Sequence, residues 1–184
     1  MQDQLVEAAQ RGDHEAFEVL ATSAADRLYA IARLILRDTP QAEDAVQETL
    51  IRAWRELPRL RDVGRWEGWL RRLLINACAD EGRRLRRWSA EVQLIRHEPT
   101  AMPAIDSLAD RDQLERGFRR LKPEHRAAVV LRFYLDLSVP EVAESLGVPV
   151  GTAKSRIHYA TEILRGAIEA DSRDEGAIAD GRTA

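Results

Sequence analysis

LSVPEVAESLGVPVGTAKSRIHYATEILR, residues 137–165, is the stretch whose reading decides the fold. It divides into two short helices around a tight turn. Ser138 with Glu141 three residues on forms a capping box. Pro140 falls in the first turn, where its missing N–H removes no helical bond. Val142, Ala143 and Leu146 share the inner face, and Gly147 follows as a C-terminal breaker free to take positive φ. Val148-Pro149-Val150 makes the turn. A second helix starts at about Gly151, with Ala153, Ile157, Ala160 and Leu164 turned inward. The small Ala143 and Ala153 on either side of the turn let the two helices cross closely. This is the helix-turn-helix pattern, whose second helix enters the DNA major groove. An ordinary αα-corner is the plainer reading of the same spacing.

Working outward, the composition suits an all-helical protein: of 184 residues 32% are charged, 5% are aromatic, and few glycines lie outside the joints. The net charge of −3 conceals a polarity along the chain. Through Leu50, ten acidic residues face four arginines, whereas from Ile51 to Trp88 eleven arginines face five acids. An acidic start and a basic middle are expected to meet different partners. The single Cys78 excludes an intrachain disulfide and a multi-cysteine zinc site, and the four histidines have no ligand spacing, so no metal or cofactor is expected. No signal peptide opens the chain and no apolar run approaches membrane length, so a cytoplasmic protein without membrane insertion is expected. A nucleophile elbow, phosphate loop and dinucleotide fingerprint are all missing, and Gly147-Val-Pro-Val-Gly151 follows no strand. The acid pairs Glu43/Asp44 and Asp80/Glu81 read as solvated helix surface. Catalysis is not expected.

From the N-terminus, residues 3–11 form a short helix broken at Gly12, and Asp13 caps a helix over 14–37. Asp38-Thr39-Pro40 starts the next. Its apolar stripe runs Ala42, Ala45, Val46, Thr49, Leu50, Ala53, Trp54, Leu57, with Glu43, Asp44, Gln47, Glu48, Arg52 and Arg55 on the other face. Pro58 stops it, and 59–65 is a basic loop. A further helix places Trp66, Trp69, Leu70, Leu73, Leu74, Ala77 and Cys78 inside, with Arg72, Asn76 and Arg83 beside them. Gly82 costs that helix about 1 kcal/mol relative to alanine, so fraying is expected near it.

Periodicity lapses over 89–110 and resumes with Leu114, Phe118 and Leu121; Lys122-Pro123 then opens a helix with Ala127, Val130, Leu131 and Tyr134 inward. The expected architecture is therefore all-α. Two small helical domains, 1–88 and 111–170, are joined by a flexible linker, 89–110, and followed by a disordered tail, 171–184.

Two surfaces suit nucleic acid. On the second helix of the opening stretch, Lys154 and Arg156 supply phosphate attraction or guanine contacts, and Ser155 and His158 can bond base edges, with Thr152 and Tyr159 alongside. The helix from Trp66 combines tryptophans, Asn76 and arginines after a basic loop. That combination fits a hydrophobic core and a single-strand platform equally well.

Three segments in order carry a resemblance. AEDAVQETLIRAWREL (42–57), WEGWLRRLLINACADEGRR (66–84) and LKPEHRAAVVLRFYLDLSVPEVAESLGVPVGTAKSRIHYA (121–160) are similar to sigma region 2, its promoter-reading helix and sigma region 4. Over about Ala8 to Ala167 the chain resembles bacterial sigma factors of the small extracytoplasmic-function (ECF) group. The resemblance implies two partners, core RNA polymerase and promoter DNA, and makes an anti-sigma factor a candidate third. It implies that Asp44, Gln47, Glu48 and Arg52 bind the polymerase clamp helices. Leu60, Arg61 and the rest of loop 59–65, with Asn76, would hold a flipped base of the minus-ten element, and Trp66, Trp69, Arg72 and Arg83 would form the melting surface. Thr152, Lys154, Ser155, Arg156, His158 and Tyr159 would face the minus-35 duplex. Tyr159 and Thr161 stand where arginines are common in the group, Glu67-Gly68 replaces a basic or hydroxyl pair, and Pro140 replaces a tyrosine or glutamate. The competing class is a stand-alone helix-turn-helix regulator that binds operators as a dimer; it accounts for 111–168 and leaves the polar stripe of 43–55 without a purpose.

Overall fold

The computed structural model describes residues 1–89 and 108–180, with side chains described over 1–84 and 114–169. The described residues are helical, without strands. The helices are α1 (Gln2–Gln10), α2 (His14–Leu36), α3 (Thr39–Glu56), α4 (Trp66–Ser89), α5 (Leu108–Arg120), α6 (Pro123–Val129), α7 (Val139–Leu146) and α8 (Val150–Asp180). Two 3-10 turns, Leu57–Arg59 and Val63–Arg65, shape the loop between α3 and α4.

The helix starts are fixed by short polar side chains. Asp13 accepts a bond from the Ala16 N–H at 3.0 Å, and Asp38 from the Gln41 N–H at 2.9 Å. In α3 the positions at 42, 45, 49 and 53 are all completely buried. Three are alanines and the fourth, Thr49, satisfies its hydroxyl by donating to the Ala45 carbonyl at 2.6 Å. So small a face lets α3 lie close to α2 and α4. Leu20, Leu28, Ile31, Leu57, Trp66, Leu70 and Leu74 fill the space between them. Gly82 is buried against Pro123, and α4 runs through it without a break, so the fraying expected there is absent: packing outweighs intrinsic propensity.

In the C-terminal half, the capping box of α7 forms as expected, the Glu141 carboxylate accepting the Ser138 N–H at 2.8 Å and its hydroxyl at 2.5 Å. These bonds hold the Glu141 carboxyl below its ordinary range. Gly147 closes α7 at φ 63°, the left-handed value its position requires. Ala153 and Ala160 are completely buried on α8. Two expectations change. Tyr134 is 44% exposed rather than inward, because α6 continues into a π-turn, Val130–Tyr134, in which the Leu135 N–H reaches back to the Val130 carbonyl. That wider turn rotates Tyr134 off the inner face. Secondly, α8 extends to Asp180, past the expected tail boundary at 170; its alanine- and glutamate-containing sequence has no proline to stop it. Linker residues 90–107 and tail residues 181–184 lie outside the described residues.

The two halves pack on each other. Leu34, Ile35, Leu36 and Arg37 are four consecutive buried residues at the end of α2, and Leu73, Leu74 and Ile75 are three in the middle of α4. A helix with one buried face cannot produce such runs; each needs neighbours on two sides. The second side is supplied by α6 and α7. Leu74→Ala is expected to lower stability by about 2–5 kcal/mol in urea unfolding, and Ile51→Ala, at an exposed position, to stay within about 0.5 kcal/mol.

Candidate nucleic-acid and polymerase interfaces

The outer face of α3 presents Asp44 and Gln47 to solvent. Glu48 and Arg52 are partly buried and bound to each other, the Arg52 Nε donating to Glu48 at 2.6 Å while its two terminal nitrogens reach Asp80 of α4 at 3.2 Å. This bridge, Glu48 first and Asp80 second, raises the Arg52 pKa. Asp80 also takes Arg83, and Arg84 lies 3.8 Å from Asp44. Asp80 is thus a hub that the sequence reading took for plain surface. It ties the expected polymerase face to the expected DNA helix.

On α4 the tryptophans separate into two roles. Trp66 is 2% exposed and its ring lies 5.6 Å from that of Trp69. As a direct DNA contact it is therefore corrected: Trp66 is core, and it props Trp69, which is half-exposed. Leu60 is half-buried, its carbonyl accepting the Gln10 side-chain amide at 2.6 Å, and Arg61 is exposed. The loop before α4 is thereby pinned to α1. Arg72, Asn76 and Arg83 are exposed on one side of α4. The Cys78 thiol faces the core, where burial pushes its pKa up to about 12.

The residues expected to face duplex DNA all occupy the first turns of α8. Thr152, Lys154, Ser155, His158 and Tyr159 are exposed and Arg156 is partly buried. The Ser155 hydroxyl is donated to the Gly151 carbonyl at 2.9 Å, which leaves its lone pairs for a base. Tyr159 stacks at 4.6 Å on His125 of α6. Thr161 bonds back to the Ile157 carbonyl at 2.8 Å.

A cleft of about 350 Å³ lies between the halves, lined by Asn76 and Arg83 of α4, Pro123 and Glu124 of α6, Leu146 and Arg156 among others. The structure thus brings together residues from both expected DNA surfaces. The side chains that frame this junction were missed from the sequence. Arg71 donates to Ser145 at 3.1 Å, Arg65 pairs with Glu144, and Arg37 pairs with Glu115 while Arg126 donates to the Leu36 carbonyl at 3.3 Å. One signal was available: uninterrupted apolar triplets such as Leu34-Ile35-Leu36 and Leu73-Leu74-Ile75 exceed a single helix face.

An all-helical chain with a helix-turn-helix at one end and an arginine- and tryptophan-bearing helix at the other defines a DNA-facing transcription protein. The comparisons specify it further. The sigma-70 region 2 family model matches residues 20–88 and the sigma-70 region 4 model residues 111–162. The chain is 35% identical over 143 residues to the ECF RNA polymerase sigma factor SigL of Mycobacterium tuberculosis, covering 75% of this chain and 80% of that one. To SigW of Bacillus subtilis it is 28% identical over 173 residues, covering 87% and 92%. Among solved structures, CnrH in complex with the cytosolic domain of CnrY aligns with a TM-score of 0.64 at 26% identity, covering 92% of this chain and 98% of that one. The sigma factor RpoE in complex with the anti-sigma factor NepR from Bartonella quintana shares the fold, with a TM-score of 0.67 at 24% identity and coverage of 84% and 98%. The chain belongs to the ECF group of RNA polymerase sigma factors.

His125 carries a pH dependence. Its pKa lies below the ordinary histidine value of 6.5, chiefly through desolvation, with Glu124 raising it and Arg156 and Lys122 lowering it. The unfolded chain therefore takes up this proton at higher pH than the folded one. Stability is expected to be complete above 6.5 and to be lost as pH falls through 6.5 toward the lowered folded value. Thermal unfolding followed between about pH 7 and pH 5 should show a shallower slope for His125→Gln.

Proposed function

We propose that this ECF sigma factor binds core RNA polymerase through α3 and directs it to promoters by two DNA contacts, without catalysis of its own. Asp44 and Gln47, held outward beside the Glu48–Arg52–Asp80 bridge, are the polymerase-facing side chains, with Glu48 and Arg52 setting the surface between them. The α4 face of Arg72, Asn76 and Arg83, with Trp69 and the Leu60–Arg61 loop, takes the melted minus-ten element. Asn76 offers an amide to a flipped base, Trp69 a ring, and the arginines charge for the backbone. The first turns of α8 read the minus-35 duplex through Thr152, Lys154, Ser155, Arg156, His158 and Tyr159. Transcription places the protein in the cytoplasm; no described helix is long and apolar enough to cross a membrane. An anti-sigma factor is a further partner in this reading.

The observation that carries it is the coexistence, on one chain, of the outward acidic-and-amide face of α3 with the Trp69–Asn76 face of α4. A free-standing operator-binding dimer would use neither. Mixing the purified chain with core polymerase tests the reading directly: it should co-elute with core and support promoter-dependent runoff transcription. A dimer that ignores core would overturn the reading. Asn76→Ala should reduce promoter opening, read by permanganate footprinting, while duplex binding by the C-terminal half stays intact. Lys154→Ala should lower the slope of log affinity against log salt by about 1, as expected for one lost phosphate contact.

A further inference from the structure

We propose that Gln10 is a positioning residue for minus-ten reading, its side-chain amide holding the segment 57–65 in the shape that selects the flipped base. This inference rests on the functional reading above, which gives Leu60 and Arg61 that role. The segment has little core of its own: Leu57 is completely buried, Leu60 and Val63 are half-buried, and the side chains between them are exposed. Its shape therefore depends on hydrogen bonds. Local ones make two separate turns. The Leu60 N–H closes the first on the Leu57 carbonyl at 3.0 Å. The Arg65 N–H closes the second on the Asp62 carbonyl at 3.1 Å, and the Asp62 side chain accepts the Gly64 N–H at 3.0 Å. Leu60 and Arg61 join the two turns, and neither turn fixes their direction. Gln10 supplies what is missing. Its Nε2 donates to the Leu57 carbonyl at 3.1 Å and to the Leu60 carbonyl at 2.6 Å, 47 and 50 positions away.

An amide suits this role chemically. Its NH2 group carries two donors, one for each carbonyl, and a carbonyl has two lone pairs, so Leu57 accepts Gln10 and the Leu60 N–H together. The tie is made without placing a charge beside the arginines of the loop. Its carrier is firm: Val6 and Ala9 bury one face of α1, and Gly12, at φ 93°, turns the chain back into α2. A second, weaker tether lies just beyond the segment, where the half-exposed Glu67 of α4 accepts the Gln2 amide at 2.7 Å and pairs with Arg27. Thus α1 grips the loop at its entry and α4 where the loop ends. The whole of α1 precedes residues 20–88, which match the region 2 family, so the helix that shapes the loop lies outside the part by which the family is recognised. A base site discriminates only while its walls hold position to within about 0.5 Å. A loop free to shift accepts several bases with similar affinity.

The test uses the full chain assembled with core polymerase, transcribing a promoter library randomised across both elements. Sequencing the transcribed templates gives the base preference at each position, and Asn76→Ala identifies the flipped position independently. Gln10→Met keeps the side-chain length and removes the donors. Its preference at the flipped position should fall by about fivefold or more, while the minus-35 preferences and the affinity for core polymerase stay as in the wild type. Gln10→Lys, whose ammonium can donate to both carbonyls, should keep the wild-type profile. An unchanged preference at that position in Gln10→Met, or a loss of equal size at every position, would overturn the proposal. So would the same loss in Gln10→Lys as in Gln10→Met, because the effect would then belong to packing and not to the donated bonds. Gln10→Asn, one methylene too short to reach both carbonyls, replaces Gln10→Met should that variant lose its far-UV circular dichroism. Failure of the wild type to transcribe with core polymerase would overturn the functional reading instead. Amide hydrogen exchange over 57–65, expected to be faster in Gln10→Met than in the wild type, would still decide whether Gln10 holds the loop.

Discussion

The fold depends on α4 having a single circumference that both halves of the chain share. One side of it meets the all-small face of α3, where Ala42, Ala45, Thr49 and Ala53 are completely buried. Another side, through Ile75 and Gly82, meets α6 and α7. What remains outward is narrow, and the residues on it, Arg72, Asn76 and Arg83, inherit their positions from the packing of everything else. Their orientation follows from the leucines at 70, 73 and 74 and the alanine at 77, which allow α4 one rotational setting.

Charge is distributed in keeping with this division. Exposed ion pairs such as Arg165 with Glu162 contribute little to stability. The Glu48–Arg52–Asp80 bridge matters more for geometry than for energy, because it fixes α3 relative to α4 at the surface where both carry the side chains proposed to bind. The junction between the halves is different in kind. There the Arg37, Glu115 and Arg126 charges are buried, whereas Arg65 and Glu144 pair at an exposed rim, and buried guanidinium groups make a contact directional in a way that the alanine and leucine packing within each half is not.

How far the sequence could be read varied with the range of the interaction involved. The caps at Asp13, Asp38 and Ser138, the left-handed Gly147 and the buried stripe of α3 are local matters, settled by short polar side chains, glycine and a period of 3.6. The exposed ring of α8 residues was legible for the same reason, since burying Ala153, Ala160 and Leu164 leaves the intervening positions outside. The departures came where a neighbour or an irregular turn intervened. Trp66 and Trp69 are three residues apart and indistinguishable by spacing, yet one is core and the other half-exposed. Tyr134 fits the helical period and lies outside because the π-turn shifts it. Arg37, in the sequence one more arginine at a helix end, is among the more deeply buried side chains.

The sequence by itself determined the helical class, the two groups of helices, the helix-turn-helix and the resemblance to sigma regions 2 and 4. Each of these depends on residues close along the chain, whose spacing dictates what a helix must bury. Tertiary structure decided which tryptophan could face a ligand, how Asp80 couples α3 to α4, and above all that the two halves close on each other through Arg37, Glu115 and Arg126. Those partners stand 78 or more positions apart, and no local periodicity relates them. Only the folded chain brings their charges close enough to compensate one another out of water.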